Sequence, residues 1–264
     1  MFHRFTHKHN NEQGLTLIEL LIATVISVVV LGATISTYTK QERVLRTEGD
    51  KTYLRGLGRL AMEELAKEIR QAGYGFPPGQ GIFAATETSI TYFANTDDTQ
   101  TMVAADVTAG DTTLTVRDDS GFNDTDNLVI FNLRNITVWE VGQVSGTPAG
   151  NVITLNSGTA NSYQADQNIV IHKYHTITYT FNTGNNLISE TIDGEGAIPL
   201  IGKVSDMTLT YFDANDAVLA TPMNAGDANL ANIRKVEIEL SLEESTNTSA
   251  TATFKTNINL RNMG

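Results

Sequence analysis

The chain has 264 residues, no cysteine, and 18 Lys and Arg against 30 Asp and Glu, for a formal net charge of −12. Such a length holds one or two domains with a sizeable core, and the charge excludes a binder of duplex nucleic acid, which needs a basic footprint to neutralise phosphates. The lack of cysteine excludes a disulfide framework, a thiolate metal site and a cysteine nucleophile.

Residues 1–14 are polar and carry Arg4, Lys8 and three histidines. From Leu15 the chain turns apolar, and 20 residues between Glu19 and Lys40 carry no formal charge. As a helix that run is about 30 Å long at ~1.5 Å per residue, the thickness of a bilayer's hydrocarbon core. Basic residues precede it and the acidic bulk of the chain follows, so the N-terminus is expected in the cytoplasm and the rest outside. A secretory signal would have a shorter apolar core followed by a small-residue cleavage site, for which Gly32-Ala33-Thr34 is the candidate. A plain membrane anchor explains the apolar run but leaves Glu19 unexplained. A carboxylate inside such a segment costs a few kcal/mol and calls for a partner and a role.

The segment Gly14-Leu15-Thr16-Leu17-Ile18-Glu19 resembles the cleavage and methylation motif of type IV prepilins and type II secretion pseudopilins. In that family a short basic leader ends in Gly, an apolar residue follows, and Glu stands fifth after the cut. Leu15 occupies the position where the family most often has Phe or Met, and it keeps the apolar character. The resemblance implies that a membrane prepilin peptidase cuts between Gly14 and Leu15 and methylates the new amine of Leu15. In an apolar bundle of helices a buried ammonium and a buried carboxylate each need compensation. Glu19 of one subunit would pair with the Leu15 amine of its neighbour and set their axial register. The plainer alternative is a Glu at headgroup level, one turn into the span.

Beyond Lys40 the helix is expected to continue to about Gln71. Leu54, Leu57, Ala61, Leu65 and Ile69 recur at three- or four-residue spacing, with charged residues mostly between them. Gly49, Gly56 and Gly58 weaken the pattern and allow a bend. Gly73-Tyr74-Gly75-Phe76-Pro77-Pro78-Gly79 supplies a C-cap and then helix breakers. Charge divides here: residues 40–72 hold eight basic and six acidic side chains, and residues 73–264 hold eight basic and 22 acidic.

The remainder reads as β-structure. Ile177, Tyr179 and Phe181 alternate with threonines; Met207, Leu209 and Tyr211 do the same; Val236, Ile238, Leu240 and Leu242 alternate with Glu237, Glu239, Ser241 and Glu243; and Phe254, Ile258 and Leu260 alternate with polar residues. Period two means strands packed on one face and wet on the other. Asn185-Asn186, Asp193-Gly194 and Asp213 to Asp216 mark turns. Residues from about 100 to 172 predict an extra β-lobe, with strands at Thr112–Arg117, Asn127–Asn132, Thr137–Val144, Asn151–Leu155 and Asn168–His172 separated by Gly-, Asp- and Asn-rich turns.

The order of long helix, Arg70-Gln71-Ala72-Gly73-Tyr74-Gly75, strand Ser89–Phe93 and late strands from Arg234-Lys235-Val236-Glu237-Ile238 is similar to the PilW-type minor pilins. Larger minor pseudopilins share the plan. The resemblance covers roughly residues 1–95 and 175–264; the middle lobe matches nothing known to us.

Other candidate chemistry is sparse. His172-Lys173-Tyr174-His175 has an H-x-x-H spacing, but on a strand the two rings point oppositely, and zinc needs more ligands than these. Asp118, Asp119, Asn123, Asp124 and Asp126 form an oxygen-rich loop, a candidate calcium site without the acid spacing or terminal Glu of an EF-hand. Asp-rich turn chemistry is its ordinary explanation. There is no G-x-S-x-G elbow, no H-E-x-x-H and no phosphate loop ending in Lys-Ser/Thr. Gly73-Tyr74-Gly75 follows a helix instead of opening one, so a dinucleotide reading fails. Adjacent acids such as Asp118-Asp119 and Glu243-Glu244 face opposite sides of a strand, and Glu63-Glu64 suits a helix surface.

The expectation is thus an α+β protein: a long N-terminal helix, half transmembrane and half amphipathic, packed on an antiparallel sheet with an inserted β-lobe. The segments are a leader at 1–14, an assembly helix at 15–39, its amphipathic continuation at 40–72 and a head at 73–264. By the resemblance it is a minor pilin, no enzyme, without cofactor. Its expected partners are the prepilin peptidase, other major and minor pilins through the helix, the pilus assembly machinery and the inner membrane, with no nucleic acid for the acidic head. The alternatives are a minor pseudopilin of the type II secretion system and a membrane-anchored extracytoplasmic binding domain.

Overall fold

Helix α1 runs unbroken from Leu17 to Ile69, 53 residues, in a computed structural model that describes residues 16–244 and 247–263. The chain forms two units, residues 1–49 and 50–264. In the second unit α1 turns one stripe inward: Leu54, Gly58, Ala61, Met62, Leu65 and Ile69 are buried and Leu57 partly so. Gly58 does not interrupt the helix; it makes room. A Cβ there would lie 2.0 Å from Cε2 of Phe254, so the bare backbone lets that ring lie against the helix. After Ile69 the chain leaves the helix through tight turns, with Gln71 and Ala72 donating to the carbonyls of Glu68 and Ile69. Gly73, at φ +78°, turns the chain toward the sheet, and its N–H donates to the carbonyl of Phe93 at 2.8 Å. The cap that the Gly-Tyr-Gly segment predicts is of this left-handed kind.

Fourteen strands follow, all paired antiparallel: β1 (Ile82–Ala85), β2 (Ser89–Ala94), β3 (Gln100–Met102), β4 (Thr113–Thr115), β5 (Asn127–Asn132), β6 (Asn135–Gln143), β7 (Val152–Thr154), β8 (Ile169–Asn182), β9 (Leu187–Ile192), β10 (Ile198–Gly202), β11 (Val204–Phe212), β12 (Val218–Leu219), β13 (Lys235–Glu244) and β14 (Asn247–Asn259). The fold is α+β, as expected from one antiparallel sheet with an inserted β-lobe, and its strands divide into two main sheets. An eight-stranded sheet has the path β1-β2-β8-β5-β6, with β3 and β9 also on β8 and β10 on β9. A four-stranded sheet has the order β12-β11-β13-β14, and β4 pairs with β7.

Strand β8 is the spine of the larger sheet. Its first half pairs with β3 and β5, its second with β2 and β9. The alternations at 168–172 and 176–181 read as two strands because Lys173-Tyr174 breaks the period; in the structure they are one strand of 14 residues.

Three apolar cores result. The largest joins α1 to both sheets, with Leu54, Leu65, Tyr92, Tyr211, Ile238 and Leu240 among its buried members. Burying each such side chain contributes about 1.5–3 kcal/mol. Its phenols are hydrogen-bonded, as buried hydroxyls require: Tyr92 donates to the carbonyl of Glu68 and Tyr211 to that of Thr86, both at 3.0 Å. On the wet face of the small sheet, Lys255 of β14 pairs with Glu237 of β13 at 2.8 Å.

A second core, including Val103, Leu114, Leu128, Ile130, Ile153 and Ile171, lies within residues 103–171. Here Glu140 of β6 gathers a loop, accepting hydrogen bonds from Ala160 N (2.6 Å), Asn161 N (3.1 Å) and the Tyr163 hydroxyl (2.6 Å). The third is small and aromatic, built on Phe76, Phe131 and Tyr174 with Phe93, Met102 and Trp139 against it.

Candidate functional site

The N-terminal segment begins with a helix that has to start somewhere, and Thr16 starts it. Its hydroxyl accepts from Glu19 N at 3.3 Å, while Oε2 of Glu19 accepts from Thr16 N at 2.9 Å and from the Thr16 hydroxyl at 2.8 Å. This is a reciprocal capping box, which satisfies N–H groups that an α-helix leaves unpaired. The sequence carried its signature, Thr-x-x-Glu ahead of an apolar run, and reading Glu19 only as an acid inside a membrane segment missed the role of Thr16. Oε1 of Glu19 makes no hydrogen bond within the described residues. Gly14 and Leu15 lie outside the described residues.

Past the cap, every residue from 16 to 41 is exposed, although the most apolar 18-residue window has a mean hydropathy of 2.4. Leu17 is 85% exposed and Ile18 66%. An apolar surface of that extent needs a cover, either lipid or other helices. Its threonine hydroxyls past the cap are already satisfied. Thr24, Thr34, Thr37 and Thr39 each donate to a carbonyl three or four residues back, at 2.8–3.0 Å. Hydroxyls folded back in this way can enter a medium without water.

The other candidate residues are dispersed. Asp118 accepts from Ser120 N (2.9 Å), Asp119 from Asn151 N (2.9 Å), Asp124 from Gly146 N (2.7 Å), and Asp126 from Asn123 N (2.7 Å) while pairing with Lys173 at 3.3 Å. These carboxylates fasten turns in separate directions, and among the described residues no three His, Asp or Glu side chains converge as a metal site.

His172 and His175 sit on β8 in different surroundings. The His172 ring packs edge-on to Phe131 at 5.4 Å, its Nδ1 buried without a partner, and burial holds its pKa below the usual value. His175 lies between two acids, with Nδ1 at 2.6 Å from Asp193 and Nε2 at 3.1 Å from Asp97. Burial disfavours its charge, but the bonds to Asp193 and Asp97 outweigh that and raise its pKa. Lys173 extends the network, bonding Asp97 at 2.8 Å. The Lys173 and His175 hydrogen bonds hold the Asp97 carboxyl below the usual carboxylate range. Tyr74 donates to Asp98 at 2.9 Å. This cluster ties β8 to the segment after β2 and to the end of β9.

Comparison with known proteins bears on the N-terminal segment. Residues 9–35 match the family described as the prokaryotic N-terminal methylation motif. That span contains Gly14, Leu15, the capping box and most of the apolar run. It supports a processed subunit of the type IV pilin and pseudopilin class, anchored by its apolar helix. No match was found among curated proteins. Among solved structures the chain is similar in part to the tailspike Gp54 of Acinetobacter baumannii bacteriophage AP22, in complex with A. baumannii capsular saccharide: 22% identity, TM-score 0.27, covering 29% of this chain and 15% of that one. A second partial likeness is to the tailspike gp49 of Pseudomonas phage LKA1: 17% identity, TM-score 0.23, 35% and 14%. The chain spans about 15% of the length of these tailspikes.

Proposed function

We propose that this chain is a minor type IV pilin of the PilW type. A prepilin peptidase removes residues 1–14 and methylates Leu15. Helix 15–39 holds the subunit in the bacterial inner membrane, N-terminus in the cytoplasm and head outside. The subunit then enters a pilus at low copy, where it primes or caps assembly through its helix and presents its head at the cell surface. It is a substrate of an enzyme and not one itself, and it works without a cofactor. Its partners are the other major and minor pilins and the assembly machinery, and the acidic head takes no nucleic acid.

One observation carries the reading: a methylation-motif segment leads straight into a capped helix whose first 25 residues are all exposed and carry no formal charge between Glu19 and Lys40. A helix of that kind moves from one water-free environment to another, from lipid to a bundle of like helices, without uncovering polar groups.

The test is mass spectrometry of sheared, purified surface fibres from the native host. A peptide beginning at methylated Leu15 is expected. The same peptide confined to the membrane fraction would transfer the chain to a secretion pseudopilus. An intact Met1 leader would remove it from the class.

A further inference from the structure

A cleft of about 440 Å³ opens between the β1–β2 hairpin, β6 and the loop 226–231, a volume in the range of small-ligand sites. Its walls are aromatic. Phe83 is 43% exposed, Trp139 is half-buried, and Phe93 forms the floor. The floor is braced from behind, since Phe93 stacks on Phe76 at 5.1 Å and 18° and meets Phe83 at 5.4 Å. Polar groups stand around these rings with bonds to spare. The Trp139 indole N–H and the Gln80 side-chain amide make no hydrogen bond within the described residues. Asp227 uses one oxygen, accepting Asn229 N at 2.8 Å, and keeps the other free.

These groups define a ligand with an apolar face and a rim of donors and acceptors. A pyranose ring has that form. Its axial C–H groups carry partial positive charge and suit the electron-rich faces of aromatic rings, while its hydroxyls both donate and accept. An apolar peptide side chain would fill the walls but strip water from Asp227, Gln80 and the indole without replacing it, which is costly. Charge narrows the class further. The lining holds a carboxylate and no cation, within a head of eight basic and 22 acidic side chains, so uronic, sialic and sulfated sugars are disfavoured.

We propose that the cleft binds a neutral saccharide, with Phe83 and Trp139 against its ring faces and Gln80 and Asp227 bonding its hydroxyls. This site is independent of the assembly role. Trp139 is the single tryptophan of the chain, so its emission reports occupancy directly. The full chain, in a phosphocholine detergent because alkyl glycosides would compete, is titrated with N-acetylglucosamine trimer, cellotriose, lactose and 3′-sialyllactose. At least one neutral sugar is expected to shift the emission saturably in the micromolar to millimolar range. Phe83→Ala should weaken that sugar at least about tenfold, and Gln80→Ala, which removes an amide with no partner in the fold, severalfold. Emission unmoved by all three neutral sugars overturns the proposal. So does equal affinity for sialyllactose and lactose, unchanged binding by both variants, or an emission shift that follows protein concentration alone, which would put a second copy in the cleft.

Discussion

A carboxylate at the head of an apolar helix has to be met by donors, and among the described residues both donors that meet Glu19 belong to Thr16. The cap and the proposed pairing with a neighbour's Leu15 amine use different properties of one side chain. The cap needs a side-chain oxygen, which glutamine also has; the pairing needs a charge. Glu19→Gln should therefore keep the helix start and permit cleavage, yet lower incorporation into fibres at least tenfold, because removing one partner of a buried ion pair costs about 3–5 kcal/mol. Quantitative immunoblots of sheared fibres against whole cells read this, and wild-type incorporation would leave Glu19 with the cap alone. The His175 cluster gives a second residue-scale prediction. The folded pKa of His175 is raised from 6.5, so its stabilising charge is fully present below about pH 6.5 and lost as pH rises through the folded value. That of Asp97 is lowered from 3.8, so its contribution is present above 3.8 and lost as pH falls through the folded value. Thermal melts of wild type and His175→Gln should differ most between those limits and converge in alkali. A difference independent of pH would mean that His175 acts by packing.

At the scale of elements, α1 shows how far a spacing rule reaches. The stripe of Leu54, Ala61, Leu65 and Ile69 was legible because helix geometry repeats it every three or four residues. The glycines were not, because a missing side chain has no period: Gly56 faces open space and Gly58 faces Phe254, and only the fold tells them apart. Gly56→Ala should stabilise the head by about 1 kcal/mol through helix propensity. In Gly58→Ala the displaced Phe254 ring should cancel that gain, and equal stabilisation of both in denaturant titrations would show that the ring moves aside freely. The Asp-rich turns are also decided at this scale. The sequence placed five oxygen-bearing side chains close together, but sequence proximity does not aim them: Asp119 and Asp124 hold backbone N–H groups of a distant turn, and Asp126 holds that of Asn123 within the loop. Neither calcium nor a chelator should shift the melting temperature; a calcium-dependent rise would show those bonds giving way to a metal.

At the scale of the whole molecule, strand existence was readable and strand partnership was not. Period two says which side chains go inward and nothing about which strand lies alongside. Hence the division into two sheets, and the passage of β8 from one core to another, emerge only in three dimensions. The aromatic cleft belongs to the same class: Gln80, Phe83, Trp139 and Asp227 come from three distant stretches of chain, and no local pattern unites them.

The contact of Gly58 with Phe254 also sets a clock. The two residues are almost the whole head apart in sequence, and at ~5–20 residues per second of synthesis the later one follows the earlier by roughly 10–40 s. For most of that interval the stripe of α1 has no β13 or β14 to lie against, and even a completed chain must close long-range pairings that are slow to find. The newborn subunit is thus a greasy helix waiting for its own last strand.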